Sequence, residues 1–294
     1  MPVLVGTSGW QYRDWRGVLY PPGVAQRRWL EHYSSQYATV ENNGSFYRLP
    51  SPQTFADWRA RTPAGFLMAV KASRYLTHVR RLQDPAEPVG RLLGAAAGLG
   101  DRLGPVLLQL PPNLPADPEA LDDCLRAFAD WRGDGRDGAG RDGDGRDGDG
   151  RDGDGRDGDG SRVTSGKRVR VAVEFRHESW WTEPIRELLT RRGAAACWAD
   201  RLGRPLGPVW RTADWGYLRL HEGAAQPHPR YGERALHSWV RRIAETWPGG
   251  GQVFVYFNND PGGAAVYDAA AFASLASREG LEVSRTAVPG EPEP

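Results

Sequence analysis

Val169-Arg170-Val171-Ala172-Val173-Glu174-Phe175-Arg176-His177 is a mostly apolar run that ends in a carboxylate, an arginine and an imidazole. The same grammar recurs along the chain. Val3–Thr7 leads into Ser8-Gly9-Trp10, Thr39-Val40 into Glu41-Asn42-Asn43, and Phe66–Val70 into Lys71. Val106–Leu108 ends at Gln109, and Ala194–Ala199 at Asp200. Tyr217-Leu218 runs into Arg219-Leu220-His221, and Val253–Phe257 into Asn258-Asn259-Asp260. Strands covered on both faces read as such unbroken apolar runs, because neither face meets water. Helical patterns separate them: Ser51-Pro52 followed by Phe55 and Trp58, Asp117-Pro118 followed by Leu121, Leu125 and Phe128, Thr182-Glu183-Pro184 followed by Ile185 and Leu188, then Trp239-Ile243-Trp247 and a last stretch from Ala264 to Arg278. Alternating strands and helices predict a parallel sheet. Polar residues massed after the strands predict a carboxyl-end site. The expectation is an α/β fold, a single TIM-like (β/α)8 barrel spanning residues 1–285.

The 294 residues suit one such barrel, and with 12 Trp and 39% hydrophobic residues the chain can fill its core. A net charge of +1 gives no global attraction to nucleic acid or acidic membranes. No apolar run approaches the roughly 20 residues of a membrane span, and no basic-then-apolar signal segment opens the sequence. Cys124 and Cys197 stand far apart without a CxxC, so a reduced, cytoplasmic setting is expected. Within residues 133–161 an Arg-Asp-Gly pattern repeats with period five from Arg136. It can bury nothing and reads as a disordered insertion on the amino-end side; its Arg spacing does not fit a calcium loop. Residues 286–294 read as a frayed tail.

Alternation along a strand sorts the polar ends by face. Glu174 shares a face with Ala172 and Arg176, Glu41 with Thr39 and Asn43, Lys71 with Ala69, and Arg219 with Tyr217 and His221. If these faces point inward, Glu174 is the first candidate acid or base and Glu41 the second carboxylate, although Glu41 equally reads as a turn cap. The 38 Lys plus Arg include only two lysines, Lys71 and Lys167. Lys71 closes an apolar run, where a desolvated amine can lose its proton as Arg cannot. It is a candidate base, with a Schiff-base lysine as the aldolase-like variant. Glu174, Lys71, Glu41 and His221 are thus the catalytic candidates. Arg176, Arg219 and Lys71 read as an anion clamp. Gln109, Asn43, Asn258, Asn259, His177, Ser8 and Asp200 supply further polar contacts, and Trp10 and Tyr47 are among the aromatics flanking the rim. No cofactor is expected, since HExxH is absent and no GxGxxG turn follows a strand. A single divalent cation on Glu41, Glu174, Asp200 and His221 is the alternative. The partner expected is a small anionic ligand, with nucleic acid the less favoured choice.

The blocks Gly6-Thr7-Ser8-Gly9-Trp10-x-Tyr12-x-x-Trp15-x-Gly17-x-x-Tyr20-Pro21, Val40-Glu41-x-Asn43-x-Ser45-Phe46-Tyr47 and Lys71-Ala72-x-Arg74-x-x-Thr77-His78 resemble the YecE-like family, domain of unknown function 72. So do Gln109-Leu110-Pro111-Pro112, Glu174-Phe175-Arg176-His177-x-Ser179-Trp180 and Tyr256-Phe257-Asn258-Asn259-Asp260. The resemblance covers nearly the whole chain and implies a TIM-barrel fold. The sequence departs from the family pattern in the 133–160 repeat and in Glu222, which separates His221 from Gly223. The family's likeness to endonuclease IV-type barrels implies a nucleic-acid role by analogy only. The leading expectation is a hydrolase or lyase for a phosphorylated or carboxylated substrate, worked by Glu/Lys acid–base chemistry. The alternatives are nucleic-acid processing and a non-catalytic binding barrel.

Overall fold

A computed structural model describes residues 2–132 and 168–290; the repeat at 133–161 lies outside them, as do residues 291–294 of the tail. Gly290 N–H donates to Val18 O at 2.8 Å, so the described part of the tail lies against the first loop.

The apolar runs become β1 (Val3–Thr7), β2 (Thr39–Asn42), β3 (Leu67–Lys71), β4 (Leu103–Gln109) and β5 (Val171–Glu174). They are followed by β6 (Ala195–Ala196), β7 (Trp198–Arg201), β8 (Arg204–Pro205), β9 (Gly216–Leu220) and β10 (Val253–Phe257). Between them lie α1 (Trp29–Gln36), α2 (Gly44–Tyr47), α3 (Pro52–Ala60), α4 (Ala86–Ala96), α5 (Pro118–Asp130), α6 (Glu183–Arg192), α7 (Glu233–Thr246) and α8 (Ala264–Arg278). Their ends follow local chemistry. Ser51 Oγ accepts from Thr54 N–H at 3.1 Å, with Pro52 in the first turn where no donor is missed. Asp117 caps α5 in the same way through Ala120 N–H. Gly193 (φ +63°) ends α6 in the left-handed conformation that glycine adopts without strain.

The strands form two five-stranded sheets, β1-β10-β9-β7-β8 and β2-β3-β4-β5-β6, parallel throughout except for the β7–β8 hairpin. The run expected to form one strand at Ala194–Ala199 is broken at Cys197. Ala195 and Ala196 pair with β5, whereas Trp198, Ala199 and Asp200 pair with β9, so one run serves both sheets. The other seam lies between β1 and β2. Among the described residues no hydrogen-bonded ladder joins them, and no closed barrel is formed. The phenol of Tyr33 spans the gap instead, accepting from Thr7 N–H at 3.0 Å and donating to Thr39 O at 3.1 Å. The approach is close. A Cβ on Gly6 would lie 2.4 Å from Thr39 O, so only glycine fits there.

Strand alternation produces two cores. Val5, Val40, Met68, Val70, Val106, Leu108, Val173, Leu218, Val255 and Phe257 face the helices in one cluster. Leu4, Ala69, Leu107, Ala172, Ala195, Cys197, Tyr217, Phe254 and Tyr256 pack together in the other. Each fully buried Val, Leu or Phe contributes about 1.5–3 kcal/mol, so an opposite parity would cost both faces at once. The second cluster is the floor on which the polar strand ends stand.

Candidate active site

Two residues beyond Thr39, Ala172 and Tyr217, on the same faces, come Glu41, Glu174 and Arg219, all three buried. Arg219 stands between the carboxylates. Its Nε and Nη2 donate to Glu41 Oε1 at 3.2 and 2.9 Å, and its Nη1 donates to Glu174 Oε2 at 2.5 Å. The other donors come from neighbouring strand ends. Ser8 Oγ (2.8 Å) and Asn43 Nδ2 (3.1 Å) also reach Glu41 Oε1, and Tyr217 OH reaches Oε2 at 2.6 Å. Arg176 Nε (2.9 Å) and His221 Nε2 (3.2 Å) meet Glu174 Oε1. His221 Nδ1 lies 3.2 Å from Asn258 Nδ2; accepting there makes Nε2 the protonated nitrogen facing Glu174.

Burial alone would raise both carboxyls, but it is outweighed. The Arg219 charge together with these donors lowers Glu41, and the charge with His221 and Arg176 takes Glu174 well below the usual carboxylate range. Both are held ionised by charge-assisted bonds. Carboxylates so fully engaged set a fixed field and orient their neighbours; they are poor proton shuttles. Arg219, expected as part of an anion clamp, has its donors turned to these two carboxylates and is 1% exposed.

Lys71 is the contrasting group. Its Nζ donates to Gln109 Oε1 at 2.7 Å and lies 4.4 Å from the centroid of the Phe46 ring. Among the described residues no carboxylate pairs with it. Burial first, then the charge of Arg219, lowers it to about 8, against the pull of Glu41 and Glu174. Beside it, residues Tyr75–Val79 form a π-helical turn, a form frequent at functional sites. This turn sets His78 edge-on to Phe46 at 5.0 Å. His78 is lowered by burial and then by Lys71, Arg74 and Arg176, so three cations bear on one patch. Arg74 is exposed, and no salt bridge pairs it among the described residues. Arg176 is 35% exposed while holding Glu174.

Not every residue marked from the sequence joins this cup. Asp200 does not: Trp198, two residues earlier, packs outward on Trp239, and Asp200 shares its face. It accepts from Tyr231 OH (2.6 Å), Trp239 Nε1 (2.7 Å) and Gly203 N–H (3.2 Å), all neutral donors, and burial raises it. Asn259 follows outward-facing Phe257 and donates to Asp268 Oδ2 of α8 and to Pro229 O. Trp10 is buried edge-on to Trp58 at 5.5 Å, a packing contact. Tyr47 is 82% exposed at the rim. His177 Nδ1 accepts from Ser179 N–H, and Ser179 Oγ in turn accepts from Ala116 N–H, so this histidine braces two loops.

One group escaped the sequence reading as a titrating residue. Asp260 has Oδ1 buried with no hydrogen-bond partner among the described residues. Burial, opposed by a bond from Tyr12 and reinforced by Asp14 and Glu41, raises it to about 7. Asp260 follows Tyr256 and Asn258 at two-residue steps, the spacing that would have put it on the inward face. Asn43 Oδ1 is a second buried acceptor without a donor. Among the described residues no three His, Cys, Asp or Glu side chains converge as a metal-binding group, and Asp200 is turned away from the other three expected ligands.

Fold and site together define an α/β protein of parallel sheets whose strand ends hold an ion-paired carboxylate cluster and an amine that, among the described residues, pairs with no carboxylate. A family model described as protein of unknown function DUF72 matches residues 4–293, and the chain belongs to this family. It is 25% identical to UPF0759 protein YunF of Bacillus subtilis (strain 168), covering 90% of both chains. It is 28% identical over 109 residues to UPF0759 protein YecE of Escherichia coli (strain K12), 37% of this chain and 38% of that one. A DUF72 family protein from Thermotoga maritima MSB8 superposes with a TM-score of 0.71 at 24% identity, over 94% of this chain and all of that one. A second, from Enterococcus faecalis V583, gives 0.66 at 16% identity, over 94% and 98%. The two solved structures share this fold, each matched over 94% of the chain.

Proposed function

We propose that the chain is an enzyme, a hydrolase or lyase acting on a small phosphorylated or carboxylated substrate, with Lys71 as its reactive group. The observation that carries this reading is the setting of Lys71: a buried amine bonded to a neutral amide, against an aromatic face, lowered to about 8. In this reading the eight parallel strand runs make a TIM-like (β/α)8 cup, its β1–β2 seam bridged by Tyr33. The substrate anion lies against Lys71, Arg176 and Arg74, whose charges converge on His78. Glu41, Arg219 and Glu174 supply a preorganised field, which costs no reorganisation during reaction. His221 and Asn258 hold Glu174 in place. Both cysteines are free and buried, which supports a reducing, cytoplasmic setting. Among the described residues no helix is long and apolar enough to cross a membrane.

Calorimetric titration with inorganic phosphate and with a small dicarboxylate tests the anion site. Binding should weaken at least about tenfold in Arg176→Ala and in Lys71→Met while both variants keep a cooperative melt. Equal affinity in wild type and variants would remove the reading. Affinity for oligonucleotides alone, falling steeply with salt, would replace it with the nucleic-acid alternative.

A further inference from the structure

We propose that the Lys71 amine forms a Schiff base with an anionic aldehyde or ketone, whose carboxylate or phosphate is held at the Arg74–Arg176 side of the cup. This rests on the preceding reading of a lysine-centred anion site and adds the substrate class and the bond formed. Elimination among the nucleophiles leads to it. Ser8 Oγ donates to Glu41, as does Tyr217 OH, and Ser45 Oγ donates to Lys71 O. The Cys197 thiol is buried and held well above its usual value by burial and then by Glu174. Each of these groups has its hydrogen committed or its anion disfavoured. The Lys71 amine has one acceptor, Gln109 Oε1, which takes one N–H and leaves the nitrogen lone pair free when the amine is neutral.

The surroundings favour that neutral form. Glu41 and Glu174 would ordinarily hold an ammonium, but Arg219 stands between them, and Ser8, Asn43 and Tyr217 on Glu41 and Arg176 and His221 on Glu174 take up further acceptor sites. Phe46 keeps water from one side of the nitrogen, which favours the neutral form, while its ring face attracts the ammonium. Binding of an anion needs only charge, and Arg74 and Arg176 supply it near the solvent. A buried amine bonded to a neutral amide adds nothing to anion binding that a third arginine would not. It adds nucleophilicity, which guanidinium lacks. The step balances without an oxidant. The lone pair forms the C–N bond, the carbonyl oxygen takes a proton and becomes the carbinolamine hydroxyl, and the nitrogen loses a proton. The hydroxyl then leaves as water after a second protonation from solvent, giving the C=N bond.

The intact protein treated at pH 8 with glyoxylate and borohydride, then mapped by peptide mass spectrometry, tests this directly. Lys71 should be alkylated at least about tenfold faster than Lys167, since each unit of lowered pKa gives roughly tenfold more neutral amine. The adduct should be absent in both Lys71→Met and Lys71→Arg, the latter retaining the charge if the former folds poorly. Arg176→Ala should slow labelling by glyoxylate several-fold more than labelling by propionaldehyde, which loses only the small help that the Arg176 charge gives the neutral amine. Labelling of Lys71 no faster than of Lys167 overturns the proposal. If glyoxylate binds reversibly without trapping, the Schiff base falls and the anion site stands. If glyoxylate and propionaldehyde label Lys71 equally in wild type and Arg176→Ala, the anion site falls as well.

Discussion

A carboxylate pair and a single carboxylate sit at strand ends of this fold, and their net shifts run in opposite directions. Glu41 and Glu174 face inward on either side of Arg219 and are lowered; Asp200 faces outward beneath α7, meets only neutral donors, and is raised. Burial acts on all three in the same sense. What differs is whether a charge compensates it, since three neutral hydrogen bonds to Asp200 do not replace one guanidinium. A polar residue closing a strand is therefore not a site residue by position alone. The inward face collects polar ends from strands on both sheets around one arginine, whereas the outward face is sealed by the next helix.

Removing the compensating charge breaks the comparison most severely. Arg219→Met leaves two buried carboxylates without their shared cation and should destabilise the fold by about 3–5 kcal/mol, read by denaturant unfolding. The pH dependence should invert at the same time. In the wild type both glutamates lie below their unfolded values, so they stabilise above about pH 4 and that contribution is lost as pH falls further. In the variant burial dominates and raises them, so stability should fall as pH rises from 4 to 7. A loss below about 1 kcal/mol with an unchanged pH profile would show that Arg219 does not hold the pair.

Asp200 sharpens the contrast with a smaller effect. Asp200→Ala leaves Tyr231 OH and Trp239 Nε1 without their acceptor and should cost about 2 kcal/mol. Phosphate affinity and Lys71 labelling should not change, because the side chain points away from the cup. Loss of phosphate binding in a variant that still melts cooperatively would return Asp200 to the site.

The same parity explains what could be read in advance. The apolar runs Val3–Thr7 and Val253–Phe257 became β1 and β10 residue for residue, because burial on both faces leaves no polar position to blur a boundary. The two-residue step correctly placed Glu41, Lys71, Glu174 and Arg219 on their faces. The step itself also runs from Trp198 to Asp200 and from Phe257 to Asn259, but an aromatic two positions earlier does not mark the outward face, since Tyr217 and Tyr256 precede inward Arg219 and Asn258 in the same way. The break at Cys197 was unmarked as well, since it arises where one run changes partners between sheets. The pairing within the cup was equally hidden. Arg219 and Glu41 lie 178 positions apart, and no local periodicity specifies which carboxylate receives which nitrogen. Hence Arg219 read as a clamp for ligand when its partners are internal.

Asp260 offers the finest test, because it is an inward-facing carboxyl that behaves like the outward one. It lies in the field of Arg219, yet burial first, then Asp14 and Glu41, prevail and raise it to about 7. A carboxyl raised in the folded state destabilises it once ionised, so this group should subtract stability progressively between about pH 4 and pH 7. Asp260→Asn removes the titration while keeping an acceptor beside Tyr12. At pH 8 it should be more stable than wild type by roughly 1–2 kcal/mol, allowing for partial solvent contact, and the gain should vanish near pH 4. Unfolding free energies at four or five pH values between 4 and 8 would follow the difference. A gain that is the same at every pH would mean that Asp260 is already ionised at pH 4, and that the Arg219 field reaches it as fully as it reaches Glu41.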